Sequence, residues 1–170
     1  MKFVVDTNVA VVANGKSDQA SPECVSTCAV RLRELMRKGR LVLDDGRRIL
    51  REYMANIGRS GGQPMPGDAF LKWVHTNYSN PERCELVQIT PRNSSETDFV
   101  EFPDDPQLSN FDKNDRKFVA VAAAHPDKPP ILQAVDTKWW EMKEPLRRAG
   151  ITVDFLCEKD VRSILHRKSK

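Results

Sequence analysis

The sequence predicts an α/β protein with a central, mainly parallel sheet flanked by helices. Three observations predict it. Short runs rich in Val, Ile and Leu alternate with longer segments whose apolar residues recur at helical spacing. The short runs are apolar on both faces, as strands covered by helices are. Two of them, residues 3–5 and 131–135, end alike, in Asp6-Thr7 and Asp136-Thr137. Strands in this pattern are expected to join through right-handed βαβ connections.

The elements follow in order. Phe3-Val4-Val5 is a strand closed by Asp6-Thr7-Asn8. Asp6 stands where ligands of open α/β sheets bind, beyond a strand's carboxyl end. Capping of the helix that begins near Asn8 is an equal claim on it. Residues 9–13 form a short helical turn and 14–18 a loop. Ser21-Pro22-Glu23 starts a helix, with Ser as cap, Pro in the first turn and Glu beside it. That helix runs to about Lys38, burying Val25, Cys28, Ala29, Leu32, Leu35 and Met36, and Gly39 ends it. Leu41-Val42-Leu43 is the second strand, closed by Asp44-Asp45-Gly46.

A third helix spans about 47–57, with Ile49, Leu50, Tyr53, Met54 and Ile57 on one stripe. Glu52 lies just beyond the Ile49 edge, and it belongs either to the surface or to the sheet's rim. Residues 58–67, rich in Gly, Ser and Pro, read as a mobile loop. A helix over 68–78 and a strand over 85–89 come next. Residues 90–110 are polar and acidic around Phe99, Val100 and Phe102. A loop of that length is usually functional or disordered. The chain is expected to be one domain over 1–170, with an insertion or long loops within 58–110.

The helix opened by Phe111-Asp112-Lys113-Asn114-Asp115 stops before Pro126. At 100° per residue Asp115 falls on the stripe of Phe118, Val119 and Ala122. An ionised carboxylate there costs several kcal/mol unless paired or bound to a metal. Asp112, three residues earlier, is the expected cap, accepting the N–H of Asn114 or Asp115. After the strand of 131–135, Lys138-Trp139-Trp140 opens a helix ending near Gly150. A last strand over 152–155 and an amphipathic helix over 158–166 complete the chain.

Composition narrows the classes. The chain is 39% hydrophobic and 30% charged, with a formal net charge of +3. No run reaches the roughly 20 apolar residues of a membrane span, so no membrane partner is expected. The N-terminus enters a strand directly, without the pattern of a secretory signal, and the cytoplasm is the expected compartment. Arg31, Arg33, Arg37, Lys38 and Arg40, and the tail of Arg162, His166, Arg167, Lys168 and Lys170, read either as phosphate-binding patches or as solvated faces. Cys24 and Cys28 share a helix face, but no second close pair completes a zinc set. Four free thiols are expected for Cys24, Cys28, Cys84 and Cys157. His75, His125 and His166 have no ligand or triad spacing.

Asp6 and Asp136 close strands, Asp115 opens a helix and Glu52 edges one. In a parallel sheet those places share a rim. Four carboxylates together repel one another, and a divalent cation resolves that. The all-oxygen set suits Mg²⁺ or Mn²⁺. Such an ion activates water and stabilises phosphoryl oxygens.

These segments, Phe3-Val4-Val5-Asp6-Thr7-Asn8, Glu52 within Ile49-Leu50-Arg51-Glu52-Tyr53, Asp115-Arg116-Lys117-Phe118-Val119-Ala120-Val121-Ala122 and Val135-Asp136-Thr137-Lys138-Trp139, resemble the PIN-domain ribonucleases in order and separation across nearly the whole chain. The resemblance implies a PIN-like αβα sandwich and metal-dependent endonucleolytic cleavage of single-stranded RNA. It places catalysis at Asp6, Glu52, Asp115 and Asp136, and the metal at Asp6, Asp115 and Asp136. Thr7, Asn8 and Asp112 would support them. Lys138 and Trp139 would contact RNA, with Trp139 or Trp140 stacking on a base or both serving as core. Many bacterial members are VapC-like toxins of toxin–antitoxin pairs, which adds a small antitoxin protein and a homodimer to the expected partners. This chain is longer than those compact toxins, the excess falling between Gly58 and Asn110, so the length bears on the toxin role rather than on the nuclease class. Two rivals remain. One is a degenerate fold of the same kind that binds RNA or protein without catalysis. The other is an aspartyl-phosphate phosphatase using Asp6, although Asn8 stands where such enzymes carry a second Asp.

Overall fold

A computed structural model describes residues 1–58 and 63–170. Five strands, β1 (Lys2–Val5), β2 (Arg40–Asp44), β3 (Cys84–Val87), β4 (Ile131–Gln133) and β5 (Val153–Phe155), form one sheet. Its order is β3-β2-β1-β4-β5, and every neighbouring pair is parallel. In register, Phe3 lies beside Leu41, and Val4 beside Ile131. Val4, Val5, Leu41, Val42, Ile131 and Leu132 are fully enclosed, which is why these runs are apolar on both faces. Strand order reverses at β1. The chain steps outward through β2 to β3, then returns to lay β4 on the other side of β1. The crevice between the carboxyl ends of β1 and β4 is therefore the topological switch point, where open α/β sheets bind ligands.

Helices α1 (Thr7–Ala13), α2 (Pro22–Lys38), α3 (Arg48–Asn56) and α4 (Pro66–Asn77) follow the first two strands. The remaining helices are α5 (Arg116–Ala124), α6 (Thr137–Glu141), α7 (Lys143–Arg148) and α8 (Glu158–Lys168). α1, α2 and α4 pack on one another, α5 lies across β2, β1 and β4, and α6 meets α8. α2 has its expected bounds: the Ser21 hydroxyl accepts the Cys24 N–H, Pro22 occupies the first position and Gly39 ends the helix. None of the helices among the described residues is long and apolar enough to cross a membrane.

Four expectations change. Of the segment expected to be mobile, residues 59–62 lie outside the described residues, and Pro66 and Gly67 already belong to α4. Gly67 is there because α4 presses on α1: a Cβ would meet the Ala10 carbonyl oxygen at 2.3 Å and Asn14 Oδ1 at 2.7 Å. The Gly67 N–H instead donates to Asn14 Oδ1. The single helix expected over 138–150 is two, broken at Met142. Pro145 cannot donate a backbone hydrogen bond, and the break places it in the first turn of α7, where N–H groups have no helical partner.

The long segment 90–110 is neither disordered nor loose. Its Phe99 and Leu108 are fully buried, and Phe102 and the adjoining Phe111 nearly so. Short 3-10 turns punctuate it at Arg92–Ser94 and Pro106–Leu108. Arg116 pins it, donating to the Phe111 and Ser109 carbonyls and to Asp98, with its guanidinium 4.8 Å from the Phe102 ring centroid.

The cysteines are the fourth correction. Cys24 and Cys157 form a disulfide across 133 residues, leaving Cys28 and Cys84 as buried free thiols. Local spacing could not show this, because the partner of Cys24 comes from the far end of the chain, where α8 begins.

Candidate active site: an acidic rim at the switch point

The rim begins with Asp6, the residue after β1. It is 5% exposed and caps α1, its carboxylate accepting the Asn8 N–H at 3.0 Å. Its own N–H donates to the Leu132 carbonyl of β4, fixing it at the switch point. Capping and a site role are thus compatible in one side chain, since one N–H uses only part of a carboxylate's capacity. Asp136 does the same after β4, capping α6 by accepting the N–H groups of Lys138 and Trp139. The repeated Asp-Thr ending therefore reports two equivalent strand-to-helix corners on either side of one crevice.

Asp115 arrives from a third direction. Asp112 accepts the Asn114 N–H at 2.9 Å and opens a 3-10 turn, Lys113–Asp115, from which α5 continues. Asp115 is half-buried above the enclosed Phe118, Val119 and Ala122. Trp139 Nε1 donates to it at 3.1 Å. Glu52 reaches the rim from α3, half-buried at the stripe's edge. Its two oxygens are taken by the Thr7 hydroxyl and, at 2.9 Å, by Lys117 Nζ.

Electrostatics links Asp6 to the other three groups. The Asp6 carboxyl is held well above the usual carboxylate range, first by burial and then by the negative charge of Asp115, with Glu52 and Asp136 adding and the Asn8 N–H opposing. Asp115 is pushed up to about 6, again chiefly by burial, with Asp112, Asp136 and Glu52 contributing and the Trp139 hydrogen bond opposing. Burial also raises Asp136, against the N–H groups it accepts. The Lys138 ammonium and the Asp112 carboxylate act on Asp136 in opposite directions, whereas Asp6 and Asp115 each meet further negative charge. Lys117 supplies a counter-charge to Glu52.

The donors are all oxygen and suit a hard cation. Among the described residues the trio of His, Cys, Asp or Glu ligand atoms that all lie within 4.8 Å of one another is Cys24, Cys28 and Cys157. The carboxylates are set wider.

The supporting residues divide. Thr7 is 8% exposed and orients Glu52. Asn8 Oδ1 accepts the Val135 N–H at 2.9 Å, tying α1 to the end of β4. Trp139 is 1% exposed, edge-on to Phe111 at 5.0 Å, and offers no face to a base. The expectation of stacking is corrected for this residue, because its ring is needed in the core and its N–H on Asp115. Trp140 is half-buried, with Lys143 Nζ 3.4 Å from its ring centroid and Phe155 edge-on. Lys138 is exposed and pairs loosely with Asp112 at 3.8 Å.

Asp112, Asp115, Lys138, Trp139 and Glu141 line a cavity of about 260 Å³ beside the rim. A larger one, about 730 Å³, lies at the opposite end of the sheet among Lys2, Arg40, Arg83 and Asp127, where Lys2 and Arg40 are already paired with Glu85. It is a poor candidate despite its size.

Sequence reasoning missed Lys117 and Glu141. The signal for Lys117 was faint: a cation at the edge of an apolar stripe, mirroring Glu52 at the edge of its own. Glu141 gave none, being one of many acidic helix residues.

No protein-family model matches the chain, and neither a curated protein nor a solved structure does.

Proposed function

We propose that this chain is a metal-dependent endoribonuclease of the PIN type, cleaving single-stranded RNA at the acidic rim. One observation carries the reading: Asp6 and Asp136 flank the switch point of a parallel sheet, and Asp115 and Glu52 act electrostatically on the same buried carboxylate. Helix capping accounts for Asp6 and Asp136 one at a time, but bringing acidic groups from four separate segments towards one buried carboxylate raises the cost of folding. The order of these segments along the chain, which resembles the PIN ribonucleases, supports RNA as the substrate.

Asp6, Asp115 and Asp136 would hold Mg²⁺ or Mn²⁺. A bound cation would supply charge stabilisation at phosphoryl oxygens and lower the pKa of water. The chain's own part is positional. The Trp139 N–H fixes one oxygen of Asp115 and leaves the other for a ligand. The backbone caps at Asn8 and Lys138 do the same for Asp6 and Asp136. Thr7 and Lys117 hold Glu52 at the rim, where its carboxylate can orient an attacking water or accept its proton. Lys138, exposed beside the cavity, would meet a phosphate.

The test uses purified protein and labelled single-stranded RNA, with Mg²⁺, Mn²⁺ or EDTA. Cleavage is expected with either metal, none in chelator, and at least about a hundredfold loss in Asp6→Asn, the scale for removing a group that acts on the transition state. Cleavage that survives both EDTA and Asp6→Asn would overturn the reading. Binding of RNA without turnover would favour the degenerate module, and an aspartyl-phosphate trapped on Asp6 the phosphatase.

A further inference from the structure

A second cluster of ligating side chains lies away from the rim. Cys24 and Cys28 stand one turn apart on α2, and Cys157 occupies the cap position of α8. All three are buried, and their sulfurs lie within 4.8 Å of one another. Cys24 and Cys157 are joined, and Cys28 Sγ rests 3.9 Å from Cys157 Sγ. A two-cysteine clamp between α2 and α8 has no need of the third sulfur. At 0% exposure a small apolar residue would fill that place as well.

We propose that Cys24, Cys28 and Cys157 form a thiolate site that takes one zinc-type cation once a dithiol has reduced the Cys24–Cys157 bond. The balance is simple. The dithiol closes to its own disulfide, giving two electrons and two protons, and Cys24 and Cys157 become thiols. The cation then displaces three thiol protons, leaving a complex of net charge −1.

Geometry favours this. Zinc–sulfur bonds of about 2.3 Å in a tetrahedron set sulfurs about 3.8 Å apart. The Cys28–Cys157 separation of 3.9 Å already matches that edge. All three sulfurs already lie within 4.8 Å of one another, so Cys24, released from its bond, has a short way to move. Among the described residues no carboxylate or imidazole joins the trio within 4.8 Å. Asp160 is held by Ser21, whose N–H and hydroxyl donate to its two oxygens at 2.6 and 3.0 Å. A cavity of about 370 Å³ borders the trio at Cys24 and Cys157, with Thr27 and Phe155 in its wall, and it is from this side that a water would complete the tetrahedron. The complex would sit at the N-terminal end of the eleven-residue α8, whose field offsets part of the opposition from burial and from Asp160, which together push the Cys28 thiol up to about 12, so the cation must supply the rest. The α2–α8 staple would then persist in a reducing medium, with metal–sulfur bonds replacing the disulfide.

The site is independent of the acidic rim, and its test keeps the two apart. The full chain is reduced anaerobically with a phosphine, which is then removed, and Co²⁺ is titrated in excess Mg²⁺. The expected result is a thiolate-to-cobalt charge-transfer absorption that saturates at one ion per chain, is bleached by Zn²⁺ and is missing from the oxidised protein. Cys28→Ser and Cys28→Ala should each weaken Zn²⁺ binding by more than the roughly 10–100-fold that losing an outer-shell partner costs. Cys84→Ser, on β3, should leave it unchanged. No charge-transfer absorption in reduced wild type, folded or not, would overturn the proposal. So would an absorption indifferent to both Cys28 variants, or a mapped Cys28–Cys157 disulfide in place of metal binding.

Discussion

Asp115→Asn tests the electrostatics of the rim without removing its shape. The Asp115 carboxyl is pushed from the ordinary 3.8 up to about 6. For a carboxyl the sign is a penalty: the folded state holds the proton more tightly, so stability falls as pH rises from about 4 to about 6 and stays lost above. A shift of that size corresponds to about 3 kcal/mol at neutral pH, and solvent at this half-buried group brings the expected figure to about 1–3 kcal/mol. Asn carries no charge, and its carbonyl oxygen can still accept the Trp139 N–H. In EDTA, urea unfolding from pH 4 to pH 8 should therefore show the variant more stable than wild type by about 1–3 kcal/mol above pH 6 and nearly equal to it at pH 4. Asp6, also raised, leaves a residual slope in both proteins. Adding Mg²⁺ should reverse the order, because a ligand that binds only the folded state stabilises it and wild type binds more tightly. A variant no more stable than wild type at pH 7–8 in EDTA would refute the argument that the rim carries an uncompensated buried charge. Equal Mg²⁺ stabilisation of both proteins would refute Asp115 as a ligand.

Three further outcomes are expected. Asp112→Ala removes the cap that accepts the Asn114 N–H. It should cost about 0.5–2 kcal/mol in chemical unfolding while keeping most RNA cleavage at low temperature; abolished turnover with Asp115→Ala active would exchange the two roles. Trp139→Phe keeps the ring near Phe111 but deletes the donor to Asp115. It should cost about 1 kcal/mol of stability and lower cleavage without changing RNA affinity, and a loss of affinity in filter binding would restore the stacking role. Gly67→Ala forces a Cβ against the Ala10 carbonyl and should cost about 1–3 kcal/mol in thermal or urea unfolding; a neutral result would mean that α4 moves off α1 freely.

Much of the fold was legible because its cues are local. The short apolar runs at 3–5, 41–43 and 131–135, each closed by an Asp, read as covered strands, and each supplies a strand of the parallel sheet. The Ser21-Pro22 start and Gly39 stop fixed α2, because capping is a contract among neighbouring residues. The Asp112 cap and the place of Asp115 on the buried stripe were readable for the same reason: both follow from helical geometry within two turns. Strand endings at Asp6 and Asp136 marked the rim before any sheet order was known.

Tertiary structure decided what depends on distant segments meeting. The strand order β3-β2-β1-β4-β5 puts the reversal between β1 and β4, and only that makes Asp6 and Asp136 neighbours across a crevice rather than two unrelated caps. It seats Lys117 on Glu52, 65 residues apart, and turns Trp139 inward to serve Asp115 instead of outward to a base. It folds 90–110 onto the core, because Arg116 gathers the Ser109 and Phe111 carbonyls, Asp98 and the Phe102 ring, a convergence that no periodicity signals. It also unites Cys24 and Cys28 with Cys157. Capping, turning and periodicity are written in a few consecutive residues. Pairing across the chain is set by which buried surfaces fit, and that is a property of the whole packed molecule.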